Sequence, residues 1–426
     1  MVVEEKKFVT IGGGIGSFTW VDALRIYGVP KKDIAIISPL HTPYQQFKKY
    51  CDAIGLTSSH RLRSDSGSRP DNYWGFPGYA VSEIWEEILA DKPKAVMKTI
   101  VQLIMESLYG DFYTPSAGRV YKSIDSEAKR IGWSEMLYLG IATSIKKLPN
   151  TKIAVSLKTQ SGATKIIHTH AVLIALGHTR KERKKGIISA YDNHSYIKEQ
   201  LKKKGGKVVI IGRGATAAQL VEDYIDLAYE KGGIEVISVF RSKNVTGIDS
   251  RKLKQKNILG WRLQQFNFPR ASFGGSLIDK TDLLWSKAST IPRNSWIHKI
   301  RKAHQDCIYK VVGRIPDADF VIDATGFEMN TYSHPLLQKF AGRNKLVKLG
   351  KYFEVEALTS NESAVFLSGI NALGNGYGPL DSFLGQQYVT DKTIDFLSQQ
   401  NWSGIHKSSP KQLFMEWWKW IKNKSI

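Results

Sequence analysis

The chain has little cysteine, and it lacks the spacings by which cysteine and histidine usually carry chemistry. Its two cysteines, Cys51 and Cys307, lie far apart among 426 residues, and no C-x-x-C occurs. This argues against a disulfide framework and against a dithiol redox pair, and it fits a reducing cytosol, so we expect a cytoplasmic protein. The ten histidines show no H-x-x-x-H or H-E-x-x-H spacing, so the sequence predicts no metal site.

Long apolar runs are also missing. No hydrophobic stretch reaches the length of a membrane span, and the N-terminal residues run directly into a strand pattern without the features of a cleavable signal peptide. Apolar residues make up 42% of the chain and charged residues 23%. These values are ordinary for a soluble globular protein, and the length predicts two or three domains.

Acidic residues are scarce relative to basic ones, 39 against 61, which gives a formal net charge of +22. Such an excess indicates a lysine-rich solvated surface or the steering of anionic ligands such as dinucleotides. We favour these interpretations over contact with an anionic membrane. The sequence has no zinc-finger, RNA-recognition or heptad pattern, so we expect no nucleic-acid partner.

A strand, a glycine turn, a helix and a second strand follow one another near the N-terminus. The β-rich run 8–11 leads into GGGIGS, a helical stretch follows, and the apolar run 34–37 closes the unit. This is the context that the dinucleotide fingerprint G-x-G-x-x-G requires, in which the helix N-terminus faces a pyrophosphate. The predicted cofactor contacts of this turn are Gly12, Gly14, Ile15, Gly16 and Ser17, with Ser17 in place of the third glycine.

The second strand of this unit ends in Ser38, where an acidic residue normally binds the adenosine ribose. A hydroxyl accepts hydrogen bonds from the ribose more weakly than a carboxylate does. His41, Gln45 and Gln46, just beyond the strand, are therefore alternative ribose contacts. We retain Ser38 and Gln46 as predicted contacts, and a unit that has lost its ligand is the other interpretation.

A second unit of the same kind begins about 200 residues later. The run 207–211 leads into GRGATA, a helix follows, and a further strand spans 234–240. That strand ends at Arg241, and an arginine at this point favours the 2′-phosphate of NADPH over NADH. The predicted contacts are Gly212, Gly214, Ala215, Thr216, Ala217, Arg241 and Ser242. Two such units in one chain indicate a flavin that is reduced by a nicotinamide, hence FAD and NADPH.

Three more apolar strands end at glycine turns, at 171–177, 319–326 and 364–369. The first two bracket the second unit, as though the chain leaves the first domain near Gly177 and returns near Thr325. A glycine turn before a helix suits a flavin or its phosphates, although a plain strand-to-helix turn fits equally well. The predicted contacts are Gly177, Thr325, Gly326, Gly369, Pro379 and Leu380.

These patterns predict an α/β fold of two Rossmann-like, three-layer domains, with the NADPH domain inserted in the FAD domain. The predicted bounds are 1–180 for the first part of the FAD domain, 181–320 for the NADPH domain and 321–426 for the second part. A helical insertion at about 47–150 belongs to the first part. Within it, the stretch 81–109 reads as a helix whose apolar positions, among them Ile88, Ile104 and Leu108, pack in the core.

The sequence resembles the flavin-dependent monooxygenases with two dinucleotide-binding domains, which include dimethylaniline-type, Baeyer–Villiger and N-hydroxylating enzymes. The resemblance rests on GGGIGS at Gly12, GRGATA at Gly212 and DATGF at Asp323, so it spans nearly the whole chain. The family's linker fingerprint F-x-G-x-x-x-H-x-x-x-W/F corresponds to 188–198, where His194 is kept and the other positions have changed. His194 is more often structural than catalytic.

The resemblance implies an FAD- and NADPH-dependent oxidoreductase that hydroxylates a small organic substrate through a C4a-hydroperoxide of the flavin. It also implies catalytic roles for Lys122 and Asn375, and contacts of Arg119 and Arg130 near the flavin, with solvated salt bridges as the alternative for these cations. Two other functions stay open. One is an NADPH-dependent reductase of another acceptor, and the other is a dinucleotide-sensing flavoprotein with little turnover.

The sequence says little about partners other than a small-molecule substrate. A C-terminal helix presents Phe414 and Trp418 on one face, which indicates a helix docked on its own domain or, less favoured, contact with a membrane surface. A homodimer is the default expectation for a protein of this kind.

Overall fold

The computed structural model describes residues 2–60, 62, 78–106, 115–183, 185–212, 214–239, 294–328, 334–343, 345–375 and 380–421. The strands in this part of the chain are β1 (Val2–Glu5), β2 (Phe8–Ile11), β3 (Ile34–Ser38), β4 (Leu137–Lys147), β5 (Ile153–Thr159), β6 (Thr164–Thr169), β7 (Ala171–Ile174), β8 (Ile188–Ser189), β9 (Gly206–Ile211), β10 (Ile234–Val239), β11 (Tyr309–Val312), β12 (Phe320–Asp323) and β13 (Ala364–Leu367). The α-helices are α1 (Ile15–Ile26), α2 (Gln45–Ala53), α3 (Gly78–Leu89), α4 (Pro93–Glu106), α5 (Ala117–Ile131), α6 (Ser195–Lys204), α7 (Ala215–Lys231), α8 (Asn294–Gln305), α9 (Pro335–Gln338), α10 (Phe383–Ser398) and α11 (Pro410–Ile421).

The first sheet has the order β1-β6-β5-β4-β3-β2-β7-β13. Its five strands from β4 to β13 run parallel, and β4, β5 and β6 form an antiparallel extension. The runs FVTI, AVLI and AVFL of β2, β7 and β13 are buried along their whole length. Continuous apolar strands of this kind are stable only when both faces of a parallel sheet are covered. Here α1, α5 and α10 contribute to the core on one face.

The second sheet has the order β11-β10-β9-β12-β8, and all of its strand pairs are parallel. Residues of α6, α7 and α8 pack with these strands in a separate core. Because β13 returns to the first sheet, the second unit is inserted in the first, which confirms the predicted fold class. The last long strand of the second sheet ends at Asp323, so the predicted boundary at 320 lies a few residues too early.

The chain crosses between the two units twice, and the two crossings lie side by side. Thr179 on the outgoing segment and Glu328 on the returning segment form an antiparallel bridge. The backbone N–H of Glu328 donates to the carbonyl oxygen of Thr179 at 2.9 Å. The crossings are therefore tied to each other as well as to their own sheets.

The stretch 81–109 forms two helices, and its apolar side chains do not pack as the sequence predicts. A break at 90–92 separates α3 from α4, and Asp91 there has a φ of +51°. Ile88 and Ile104 are exposed, so their assignment to the core was wrong. The buried side of α3 is formed by Tyr79, Ala80 and Glu83, and Thr99 is buried on α4, so Ile88 and Ile104 lie on the other side of their helices. Leu108 lies outside the described residues.

The C-terminal stretch forms α11 as predicted, and two side chains of its apolar face, Phe414 and Trp418, are exposed. The helix nevertheless lies against its own domain on the side of Glu416, whose carboxylate interacts with the buried Arg130 of α5. Among the helices of the described part of the chain, none is both long enough and apolar enough to cross a bilayer.

His194 is buried at the start of α6, in the segment that links the two units. Its Nε2–H donates to the carbonyl oxygen of Ser189 at 2.8 Å, and its Nδ1 is buried without a hydrogen-bond partner among the described residues. Burial lowers the pKa of His194 below its ordinary value of 6.5. The side chain is thus a neutral structural group of the linker.

We expect this histidine to make the protein less stable in mild acid. Below pH 6.5 the unfolded chain binds a proton that buried His194 does not bind, so the free energy of unfolding falls as the pH falls through this range. In His194→Gln, which keeps an N–H donor, that part of the decline should disappear. Urea unfolding at neutral and mildly acidic pH measures it, with exposed His406→Gln as the control. An unchanged pH dependence in His194→Gln would contradict the assignment.

Candidate functional site

The two glycine turns have the same geometry, although they lie about 200 residues apart. The first glycine of each turn has a positive φ, +103° at Gly12 and +131° at Gly212. A Cβ atom added there would lie 2.1 Å from the carbonyl oxygen of Ala175 and 2.6 Å from that of Ala324, respectively. Each turn therefore needs glycine for two reasons, the backbone conformation and the close approach of the neighbouring strand end.

The second glycine of each turn precedes a helix and faces open space. Gly14 (φ −83°, ψ −174°) and Gly214 (φ −89°, ψ −176°) stand at the N-cap positions of α1 and α7. Within the described residues, no side chain caps either helix, and no atom lies within 4 Å of a Cβ added at either glycine. Unpaired N–H groups and the positive end of the helix dipole then face an accessible surface, which suits a diphosphate.

Ser17 supports the first turn from behind. It is fully buried, its Oγ–H donates to the carbonyl oxygen of Gly12 at 2.7 Å, and its Oγ accepts from the hydroxyl of Thr10 at 2.7 Å. A small residue thus replaces the third glycine, as expected, but Ser17 acts by holding the turn to β2. A direct contact with a cofactor is not compatible with this burial.

Ser38 is also fully buried, which corrects its predicted contact with the ribose. Its Oγ accepts from the backbone N–H of Leu40 at 2.9 Å and covers Gly13, where an added Cβ would lie 2.3 Å away. A ligand bound at the first glycine turn cannot reach the side chain of Ser38, because that side chain has no accessible surface. Gln46 is half-buried on α2, so its ribose contact stays a prediction.

The carboxyl ends of β7 and β13 bring further residues to the first turn. Gly177 (φ +74°) follows β7 and Gly369 (φ +72°) follows β13, while the Nδ2 of Asn371 donates to the carbonyl oxygen of Gly177 at 3.5 Å. The Oδ1 of Asn371 and the Oε1 of Gln386 are buried and accept no hydrogen bond within the described chain. Buried acceptors usually have a partner, so these two oxygens mark a place beside the first turn where a donor is missing. Neither residue was predicted, since no local motif singles them out.

Four rings meet where the two units face each other, and we call Tyr50, His178, Tyr191 and Phe327 the interdomain cluster. Tyr191 stacks on Phe327 with ring centroids 4.5 Å apart, and His178 lies 4.1 Å from Phe327. Tyr50, on α2, lies 4.8 Å from Tyr191. The cluster was not predicted, although His178 and Phe327 each follow a glycine that the sequence singles out.

The interdomain cluster also has polar links to both units. The hydroxyl of Tyr191 lies 2.8 Å from the Oγ1 of Thr216, in the first turn of α7. The Nε2 of His178 lies 3.5 Å from a carboxylate oxygen of Asp381, just before α10. Burial raises the pKa of Tyr191 to about 12, so its hydroxyl stays protonated at physiological pH.

Four other predicted residues lie away from the two glycine turns, which corrects their assignments. Arg130 is buried and binds Glu127, with its Nε 2.6 Å from Oε2. Arg119 binds Glu86 of α3 at 2.7 Å. Both guanidinium groups are committed to ion pairs. Lys122 is exposed on the side of α5 opposite its buried residues, and Leu380 is fully buried in the core of the first unit.

The remaining predicted contacts lie at the turns that follow the strands or fall outside the described residues. Ile15 and Gly16 begin α1, Ala215, Thr216 and Ala217 begin α7, and Thr325 and Gly326 follow β12. Gly16 lies close to Ser368 and Gln386. Arg241, Ser242 and Pro379, and the side chain of Asn375, lie outside the described residues, so their predicted roles stay predictions.

No family model and no curated protein sequence matches the chain. Its backbone is similar to that of an ornithine N-hydroxylase from Kutzneria sp. 744, with a TM-score of 0.62, 12% identity, and coverage of 92% of this chain and 99% of that one. A cadaverine monooxygenase from Erwinia amylovora gives 0.61 at 11% identity, covering 94% and 96%. The L-lysine 6-monooxygenase of Pseudomonas syringae gives 0.58 at 13%, covering 93% and 100%.

The chain has the fold of the two-domain flavoprotein monooxygenases. The similarity covers almost the full length of each structure, so it includes both nucleotide units and the crossings between them. This agrees with the resemblance that the glycine motifs indicate. At 11–13% identity, the likeness shows the fold alone, and the chemistry has to be argued from the residues of this chain.

The two glycines of the first turn should respond differently to substitution by alanine. Gly12→Ala places a methyl group against a backbone carbonyl at a positive φ, so we expect a loss of more than about 2 kcal/mol in the free energy of unfolding. Gly14→Ala meets no described atom within 4 Å and should change stability by less than about 0.5 kcal/mol. Urea unfolding compares them. Equal effects of the two substitutions would contradict the described turn.

Proposed function

We propose that the chain is an FAD-dependent, NADPH-using oxidoreductase that acts as a monooxygenase. The observation that carries the proposal is the pair of uncapped helix N-termini at Gly14 and Gly214, one in each unit, each open to a ligand. One diphosphate site suits a dehydrogenase with a single cofactor. Two such sites, one in each unit, suit a flavin and the nicotinamide that reduces it.

The residues of the first unit fit FAD. Its pyrophosphate would lie at Gly14 and the start of α1, and its ring would approach Gly177, Gly369 and Asn371. The buried acceptors Asn371 Oδ1 and Gln386 Oε1 lack donors, and the flavin ring or the ribityl hydroxyls would supply them once these side chains turn toward the bound cofactor. The strand end that usually carries an acidic residue carries Ser38, and Ser38 is buried, so neither a carboxylate nor this hydroxyl can bind the adenosine ribose. We therefore expect weak retention of FAD, and assays should contain added flavin.

The second unit would bind NADPH at Gly214, Thr216 and the start of α7. The interdomain cluster lies between the two proposed sites, since Tyr191 contacts Thr216 and His178 contacts Asp381. Aromatic rings at that point can orient a nicotinamide by stacking and keep water from the reacting atoms. Arg241 and Ser242 remain the predicted partners of the 2′-phosphate.

The flavin, when bound, supplies hydride acceptance and oxygen activation, and the chain supplies binding, orientation and exclusion of water. The helix N-termini hold the two diphosphates without bringing a titratable group close to them. Asn371 holds Gly177, beside the proposed place of the ring, through the hydrogen bond that its Nδ2 donates. The hydroxyl of Tyr191 stays protonated and positions the start of α7 against the cluster.

For the substrate, we propose an aliphatic primary amine. Three proteins with this fold are named as an ornithine N-hydroxylase, a cadaverine monooxygenase and an L-lysine 6-monooxygenase, and all three named substrates carry such an amine. Reduction of a disulfide is a poor alternative, because Cys51 and Cys307 are both free and lie in different elements. The reductase alternative keeps both cofactors and passes electrons to another acceptor, and the sensor alternative is a dinucleotide-binding flavoprotein with little turnover.

Substitutions that fill each open turn should separate the two cofactors. Gly14→Val should fold normally but bind FAD at least about 10-fold more weakly, because the side chain occupies the approach of the pyrophosphate. Gly214→Val should keep FAD and lose its reduction by NADPH. Flavin absorbance with added FAD, followed by anaerobic NADPH titration, measures both effects. A wild-type chain that binds neither FAD nor NADPH sinks the proposal.

Stopped-flow absorbance then distinguishes the three functions. For a monooxygenase, we expect NADPH to bleach the flavin, O₂ to give a transient near-ultraviolet band, and ornithine, lysine or cadaverine to yield a hydroxylamine in step with NADPH consumption. Bleaching without the band supports the reductase. Binding of both cofactors without bleaching supports the sensor.

A further inference from the structure

A short piece of the first unit lies in the core of the second unit. Ile54, directly after α2, is 6% exposed and belongs to the hydrophobic cluster that α6, α7 and α8 form with the second sheet. Tyr50 and Leu56 pack against the same cluster. The chain does not cross to the second unit until after Gly177, so these side chains reach that core from the first unit. We call residues 54–56 the 54–56 turn.

The chain is fixed to the first unit on both sides of the 54–56 turn. Before it, Phe47 of α2 packs against the core of the first unit, with its ring 5.3 Å from that of Phe383 on α10. After it, the backbone N–H of Gly118, in α5, donates to the carbonyl oxygen of Ser58 at 2.8 Å. The 54–56 turn is therefore a projection of the first unit that both begins and ends there.

The 54–56 turn is tight and contacts α7 closely. The backbone N–H of Leu56 donates to the carbonyl oxygen of Cys51 at 2.9 Å, and Gly55 has a φ of +77°. A Cβ atom added at Gly55 would lie 2.9 Å from the carboxyl carbon of Asp223 on α7. Asp223 is itself paired with Lys198 of α6 at 2.7 Å. Glycine is needed at position 55 both for its backbone conformation and for this close approach.

The first unit thus reaches α7 at two places on one face of the helix. Thr216 lies 2.8 Å from the hydroxyl of Tyr191, whose ring lies 4.8 Å from that of Tyr50 on α2. Asp223 lies directly against Gly55. Thr216 and Asp223 stand at positions i and i+7, so they lie on the same side of α7, about two turns apart. One contact would allow a pivot, whereas two along one face fix the direction of α7 relative to the first unit.

We propose that the 54–56 turn positions α7 for hydride transfer, so that Ile54 and Gly55 are positioning residues of the reaction. The inference rests on the proposed function, because it concerns the distance between the two proposed cofactors. In this step a C–H bond of the nicotinamide breaks and an N–H bond forms on the flavin, which receives both electrons. The NADPH pyrophosphate would lie at Gly214, at the start of α7, and a tilt of α7 would move that end relative to Gly14. A misplacement of about 1 Å can lower a rate on the order of 100-fold.

Anaerobic stopped-flow measurement of flavin reduction at saturating NADPH tests the proposal. Ile54→Ala should slow this reduction at least about 10-fold, because the 54–56 turn loses its place in the second core. The Kd values of FAD and NADPH should change less than about 3-fold, since no diphosphate contact is altered. Ile54→Val, which keeps most of the buried contact, should recover most of the rate.

The matched control is Ile300→Ala on α8. Ile300 is fully buried in the same hydrophobic cluster, so this variant removes the same atoms from the same core without altering the 54–56 turn. It should leave the rate of flavin reduction within about 2-fold of the parent value, whatever it does to stability. The control therefore separates a positioning role of Ile54 from a general loss of packing.

A size exchange between the 54–56 turn and α7 gives an independent measurement. The three atoms nearest to a Cβ added at Gly55 all belong to the carboxyl group of Asp223. Gly55→Asn, whose side chain tolerates a positive φ, should therefore displace α7 and slow flavin reduction at least about 5-fold. Asp223→Ala removes the obstructing atoms, so the double variant should reduce its flavin faster than Gly55→Asn alone. Two unrelated defects would add instead of compensating each other.

Spin labels report the position of α7 without any cofactor. In a Cys307→Ser background, which removes the exposed native thiol, labels at Lys158→Cys on β5 and Lys231→Cys at the end of α7 give the distance between the units by pulsed electron paramagnetic resonance. We expect one narrow distribution in the parent chain and in Ile300→Ala. In Ile54→Ala the distribution should broaden or shift.

Three results overturn the proposal. The first is flavin reduction in Ile54→Ala as fast as in the parent chain, and the second is equal slowing in Ile300→Ala. The third is a distance distribution that Ile54→Ala leaves unchanged. Failure of the proposed function looks different, because NADPH then does not bleach the flavin of the wild-type chain at all. The positioning role falls with it, while the labels still respond to Ile54→Ala.

Discussion

The fold depends on one close contact, made twice, between the first glycine of a nucleotide turn and a carbonyl at the end of the neighbouring strand. Gly12 lies against Ala175, and Gly212 lies against Ala324. Both strands that supply these carbonyls lead directly into the crossings between the units. The same contact therefore shapes the phosphate turn and fixes where the chain leaves or re-enters a domain. Within each unit, the position of the turn and the position of the crossing cannot vary independently.

This constraint explains why the sequence predicts the fold well and the side-chain contacts less well. A strand followed by glycines at fixed spacing has few backbone solutions, so GGGIGS and GRGATA locate both turns. The predicted cofactor contacts of Ser38, Arg130 and Leu380 rested only on their positions along the chain. Their actual surroundings are set by burial against Leu40, Glu127 and the core of the first unit. Tertiary packing of this kind leaves no periodic signal.

Helices α3 and α4 show the same limit in another form. Periodicity correctly predicts helices there, because apolar spacing near 3.6 residues reports an amphipathic segment. It does not report which side the apolar stripe faces. Tyr79, Ala80 and Glu83 form the buried side of α3, and Glu83 lies 3.7 Å from Arg119 of α5, so Ile88 lies on the exposed side.

The interdomain cluster connects these constraints to the proposed chemistry. Hydride transfer needs the nicotinamide and flavin rings in contact, whereas the two diphosphate sites belong to different sheets. Something must therefore set the distance between Gly14 and Gly214. The stacked Tyr191 and Phe327 lie at that junction, one in the linker after β8 and the other after β12. Tyr191 also contacts Thr216 in the first turn of α7. The position of that turn therefore depends on the crossings between the units as well as on its own sheet. The crossings, more than either nucleotide unit, then determine whether the two cofactors can react.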